Sequence, residues 1–205
     1  MDSQKTNAYS MKIFHGFAGY EFQSITSITD TDVVLSYDAD WGNAKSHAPY
    51  TYDFFSETLR SRKSFNQEFR LLSDPLSVES NQTFAWVLGA YYLDLSENND
   101  ITDLGTYINP FSTRPPYIKN VTGTRNYDSK NKALFGSFDS LLSETLTLSF
   151  GMRWEDWQAN YSDTFGEQFN PDDQMLGGKL SLTKAWSDET NIYASVGRGY
   201  KAGGF

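Results

Sequence analysis

The chain has 205 residues, of which 39% are hydrophobic and 16% aromatic, and its mean hydropathy is -0.55. No window approaches the roughly 18 uninterrupted apolar residues of a membrane helix, which excludes helical membrane proteins, whereas alternating β-strands can cross a bilayer at this hydropathy. A net charge of -9 opposes binding to the anionic backbone of nucleic acid, and the lack of cysteine excludes a disulfide framework, a thiolate metal site and a cysteine nucleophile.

The first ten residues hold no apolar run of the length a secretory signal needs. For an exported protein such a start is expected at a mature-chain boundary or at a truncation, and truncation is the reading adopted. Strand patterns begin at 20–35 and 57–72. The next, 83–92, places Phe84, Trp86, Leu88, Ala90 and Tyr92 on one parity, with Ala85, Val87, Gly89 and Tyr91 opposite. A fourth spans 124–139.

The clearest alternation is in 145–154. Leu146, Leu148, Phe150, Met152 and Trp154 share one side, and Thr147, Ser149, Gly151, Arg153 and then Glu155 share the other. The second face should meet water, and the strand can continue through Trp157 toward Tyr161. Residues 179–184 place Leu180 and Leu182 on an apolar side, and 192–199 complete about seven strands.

Short links with turn-forming residues are expected near 74–81, 140–144 and 187–190, and long ones at 38–56, 96–123 and 162–174. The two classes alternate, so every long loop lies at one end of an antiparallel up-and-down sheet. Bacterial outer-membrane barrels have this pattern of tight periplasmic turns and long outer loops. A soluble β-sandwich that binds carbohydrate through exposed Trp and Tyr remains open, because periodicity does not tell lipid from a protein core. A complete small barrel would need an even strand number and a closed edge. Trp154, Trp157, Trp186, Tyr91 and Tyr92 fall near strand ends, as rings with one polar atom do at a membrane interface.

Three segments carry a resemblance. Residues 64–71, with Gln67-Glu68-Phe69-Arg70-Leu71, precede 86–92, with Trp86, Gly89 and Tyr91; a pair of strands with these cores is a motif of TonB-dependent receptors of the iron-complex type. Residues 146–154, with Gly151 and Arg153, resemble a second motif strand of that family. The run from Ile192 to Phe205, with Gly199-Tyr200-Lys201, resembles a third.

The resemblance implies an all-β fold, an unclosed fragment of an antiparallel transmembrane barrel that in the family has 22 strands and a plugged lumen. It implies a Gram-negative outer membrane and receptor rather than enzyme function. The partners implied are outer-membrane lipid, a plug domain, the TonB complex and a small nutrient complex such as an iron-siderophore. Residues 1–205 are expected to be barrel wall alone, without plug or TonB box, and the open edges of so few strands should prevent a working pore. The motif residues are Glu68, Arg70, Trp86, Gly89, Gly151, Arg153, Gly199, Tyr200 and Lys201, in structural roles.

No catalytic constellation is visible and no cofactor is expected. His15 and His47 lack metal-ligand spacing. The acidic groups at Asp30, Asp32, Asp38 and Asp40, at Asp94, Glu97 and Asp100, and at Asp172 and Asp173 match no calcium loop and read as solvated surface. Gly197, Gly199, Gly203 and Gly204 precede no helix pattern, so an anion cradle is not expected. Arg153 and Glu155 should pair on the lumen side. Phe205, a terminal aromatic, reads as part of an interior strand rather than an insertion signal.

Overall fold

A computed structural model describes residues 2–43, 45–76, 82–187 and 189–201. They form one antiparallel sheet of nine strands: β1 (Ser3–Phe17), β2 (Tyr20–Asp38), β3 (Thr51–Ser73), β4 (Phe84–Ile108), β5 (Tyr117–Ser143), β6 (Leu146–Asp163), β7 (Gln168–Phe169), β8 (Asp172–Ser187) and β9 (Thr190–Arg198). Each strand pairs with its neighbour in sequence, except that β6 pairs with both β8 and the two-residue β7.

The fold class expected from the sequence is present with two more strands than the alternation marked. The strand β1 carries Tyr9, Met11 and Ile13 on one face, and its 15 residues pair throughout with β2. The two-residue turn between them is closed at Gly19, whose φ of 89° costs glycine nothing.

The strands are also longer than their apolar patterns. Within the expected 96–123 loop, 96–108 and 117–123 are strand, paired from Ser96↔Asp128 to Tyr107↔Tyr117. Both faces are wet there, so the hydrophobic alternation fades while the backbone ladder continues. At about 3.3 Å per residue the 27-residue β5 extends roughly 90 Å, far more than the about 10 residues that cross hydrocarbon. The connections 39–50, 109–116 and 164–171 lie at one end, and 18–19, 74–83, 144–145 and 188–189 at the opposite end, where the ten-residue 74–83 is longer than the short link expected there; residues 44, 77–81 and 188 lie outside the described residues.

Residues directly opposite on paired strands share a face. Trp86, Phe138, Phe150, Leu180 and Val196 thus form one row from β4 to β9, and Ala90, Leu134, Trp154 and Leu176 form another. From Leu146 to Trp154 such rows cover eight residue steps, about 26 Å along the strand and about 20 Å of height at a 40° tilt. Two residues further, the same face carries Lys132 and Asp156 and the apolar band ends.

The band faces away from any protein core. Phe150 is 47% exposed and Leu134 58% exposed, and the described residues supply no second sheet to cover them. A β-sandwich requires such a cover, so the carbohydrate-binding sandwich is set aside. The small buried cluster, Trp157, Ala159 and Met175, lies on the opposite face with Tyr127 and Tyr200 packed against it.

Candidate functional site

The polar face of β3 to β8 gathers the charged motif residues. Because side chains alternate with period two, Arg153 and Glu155 emerge on the same side, and their Nε–Oε2 distance is 2.6 Å. Glu155 is 9% exposed and is a hub. Asn131 donates to its Oε1, and the Tyr200 hydroxyl donates to Oε2 at 2.9 Å. The expected pairing of Arg153 with Glu155 is therefore present, and Tyr200 reaches it from 45 residues away.

Two cross-strand rows position this cluster. Glu68, Tyr91, Ala133, Glu155 and Met175 lie opposite one another in turn, and the adjacent row is Arg70, Gly89, Phe135, Arg153 and Gly177. Arg70 donates to Glu68. The Arg153 guanidinium carbon is 5.5 Å from the Tyr91 ring centre and 5.7 Å from that of Phe135, so the cation lies against two π-faces. Large and small residues alternate. The Phe135 ring lies over Gly89 and the Tyr200 ring over Gly177, where any Cβ would collide with it.

The other motif residues divide. Trp86 stands on the apolar face. Gly151 has no neighbour nearer to a hypothetical Cβ than 3.8 Å, and Gly199 has none within 4 Å, so close approach accounts for neither glycine. Lys201 is exposed, and the rest of its motif, 202–205, lies outside the described residues. Asn131, Phe135 and Ser129, whose Oγ accepts the Trp157 indole N–H at 3.0 Å, were not singled out from the sequence. Their position on the polar parity of β5 was the available signal.

Farther along the same face, beyond the apolar band, ion pairs replace this cluster. Arg62 donates to Glu97 at 2.6 Å, and Arg60 lies 3.5 Å from the same carboxylate. Burial pushes the Glu97 carboxyl up, but hydrogen bonds from Asn99 and Arg62 and the charges of Arg62 and Arg60 outweigh it and hold the group below its ordinary value. Asp103 accepts from Ser56 at 2.7 Å and from Lys119 at 3.0 Å; these bonds lower its pKa, and that of Lys119 is raised in return.

Among the described residues no group of three or more His, Asp or Glu could hold a metal ion. His15 stacks edge-on with Phe17 on β1, while His47 lies in the 39–50 loop. Chemically, the face is a wall of fixed dipoles and paired charges.

One face banded for hydrocarbon, one lined with polar groups, and strands that run on past the band together define a segment of a membrane-type β-barrel wall. The chain belongs to the TonB dependent receptor-like, beta-barrel family, whose model spans residues 4–205. That family is one of receptors and transporters rather than enzymes.

The fold is similar to that of the ferric yersiniabactin uptake receptor FyuA from Yersinia pestis, with a TM-score of 0.66 at 15% identity over 95% of this chain and 27% of that one. It is also similar to the ferric-catecholate import receptor Fiu from E. coli K12, with a TM-score of 0.66 at 12% identity over 96% of this chain and 35% of the other. For the siderophore receptor PiuA from Acinetobacter baumannii the TM-score is 0.60 at 10% identity, over 95% and 32%. The chain thus spans about a third of these receptors or less. No curated protein matches the sequence.

Proposed function

We propose that this chain forms part of the wall of an outer-membrane receptor for energy-coupled uptake of a scarce nutrient such as an iron-siderophore complex. The apolar band carries the reading: about 20 Å of exposed rings and aliphatic chains between polar ends matches the hydrocarbon-facing belt of a membrane barrel. The polar face then lines the lumen, where the Glu155 hub and the Arg70–Glu68 pair meet a plug domain, with TonB supplying the force. The long-loop end faces outward. The names of three structural neighbours, a ferric yersiniabactin uptake receptor, a ferric-catecholate import receptor and a siderophore receptor, support the substrate class.

Expression of the full-length protein in a Gram-negative host tests this. It should fractionate with the outer membrane and support uptake of a labelled ferric chelate that a protonophore abolishes. Recovery as a monodisperse monomer without detergent would overturn the membrane reading, and uptake insensitive to the protonophore would overturn the coupling.

A further inference from the structure

The edge of the apolar band nearer the long loops does not follow the cross-strand rows. On β1 to β3 the band reaches Tyr9, Ile28 and Phe65, which stand directly opposite one another, yet in the same row β4 and β5 already carry Asp94 and Lys130. On β4 the band stops at Tyr92, on β5, β6 and β8 at Leu134, Trp154 and Leu176, and on β9 at Val196. The row of Tyr9 meets β6 at Gln158 and the row of Val196 meets it at Phe150, so the edge drops eight residues from β1 to β9. Over the seven strand spacings between them this is about 26 Å in about 34 Å, a slope near 40°.

The turns at the other end descend in parallel. Phe17 and Tyr20, the last pair of β1 and β2, lie one residue below the row that meets β6 at Gly151. The last pair of β5 and β6 falls at Leu146, and Ser187 and Thr190, the last of β8 and β9, lie three residues beyond the row of Leu146. Two parallel edges cut obliquely through the strands are what a bilayer makes of strands tilted by about 35–45°.

Polar groups below and above this line behave differently. Just below it, Thr26 Oγ1 donates to Gln67 Oε1 at 2.6 Å and Gln67 Nε2 donates to Ser24 Oγ at 3.1 Å, so these side chains satisfy one another. One same-face step above it the signs alternate, with Asp30, Lys63, Asp94, Lys132 and Asp156 on β2 to β6 and, past the neutral Gln174, Arg198 on β9. Asp94 is engaged by the Tyr92 hydroxyl at 3.0 Å and by Lys130 at 3.8 Å. Lys63, Lys132 and Arg198 are exposed and form no ion pair among the described residues, although Asp30 and Asp156 stand directly opposite the two lysines. Their stems can lie along the apolar band while the charged heads reach the polar layer.

We propose that this oblique line is where the wall meets the lipid headgroup layer, and that Lys63, Lys132 and Arg198 each bind the phosphate of an anionic lipid headgroup there. The carboxylates between the cations exclude a polyanion lying along the line, whereas a headgroup with one phosphate meets one cation at a time. The inference rests on the membrane reading above and not on the uptake function.

The test uses the full-length protein in phosphatidylcholine vesicles, with spin-labelled phosphatidylglycerol or spin-labelled phosphatidylcholine as the probe of lipid immobilised at the protein surface. Replacing Lys63, Lys132 and Arg198 together by Gln should lower the preference for phosphatidylglycerol about twofold or more, and Lys63→Arg with Lys132→Arg should keep it. An equal preference in the wild type and the triple Gln variant would overturn the phosphate sites. Nitroxides on single cysteines at Phe65, Leu134 and Val196 should report one depth from their access to oxygen and to a nickel chelate. A depth that instead follows the pair rows, Val196 lying far deeper than Phe65, would overturn the oblique line. If neither lipid is immobilised, the membrane reading falls and this inference with it. The expected preference in a protein that takes up no ferric chelate would support this inference and sink only the uptake reading.

Discussion

Phe135 on β5 lies across Gly89, the residue directly opposite it on β4, and the Arg153 guanidinium rests against the same ring. A side chain at 89 must evict the ring, and eviction also removes a π-face from Arg153. Gly89→Ala should therefore cost about 1–3 kcal/mol through overpacking. Combining it with Phe135→Leu should cost less than the sum of the two single changes, since the substitutions share one contact. Urea unfolding of the full-length protein in lipid vesicles would measure both, and strict additivity would refute the contact.

Glu155 is the common acceptor for Arg153, Asn131 and Tyr200. Glu155→Ala strands a cation and two donors on a buried patch, a loss of about 2–4 kcal/mol by the cost of leaving buried polar groups unpaired. Glu155→Gln keeps an acceptor and should lose less. A double-mutant cycle with Arg153→Met would show a coupling near zero if the pair were only incidental.

The two parities of β6 give a direct test of the faces. Phe150→Arg places a charge in the middle of the apolar band and should destabilise the membrane-inserted protein by about 2–4 kcal/mol. Ser149→Arg, one residue away on the polar face, should cost far less. Equal effects would mean that the band does not meet hydrocarbon.

Acid should loosen the sheet beyond the band first. The hydrogen bonds from Ser56 and Lys119 to Asp103 hold its carboxyl below the ordinary 3.8, so the folded state binds the proton more weakly than the unfolded chain. Stability from this group is complete above that ordinary value and is lost as pH falls through the native value. Amide exchange in β3–β5 around Ser56, Asp103 and Lys119 should accelerate below about pH 4. In Asp103→Asn that acceleration should be diminished.

By itself the sequence determined the fold class, the antiparallel order and the two faces, because alternation between hydrocarbon and polar environments writes a period of two into Leu146 to Trp154. It did not show where strands end. Beyond the band both sides of Ser96–Ile108 are wet, so no periodicity remains to be read, and only the ladder to β5 reveals that they are strand. In the first strand Tyr9, Met11 and Ile13 alternate over only three positions, too short a run to mark a strand without the ladder to β2.

The motif residues were legible as types but not as a site. Arg153 and Glu155 are two apart, and the pleat alone predicts that they meet. That Tyr200 closes on Glu155 and that Phe135 covers Gly89 depend on pairing register. Such contacts join residues whose separation along the chain follows no period. Only the tertiary structure decides them, because cross-strand hydrogen bonding, and not local sequence, sets which residues stand opposite.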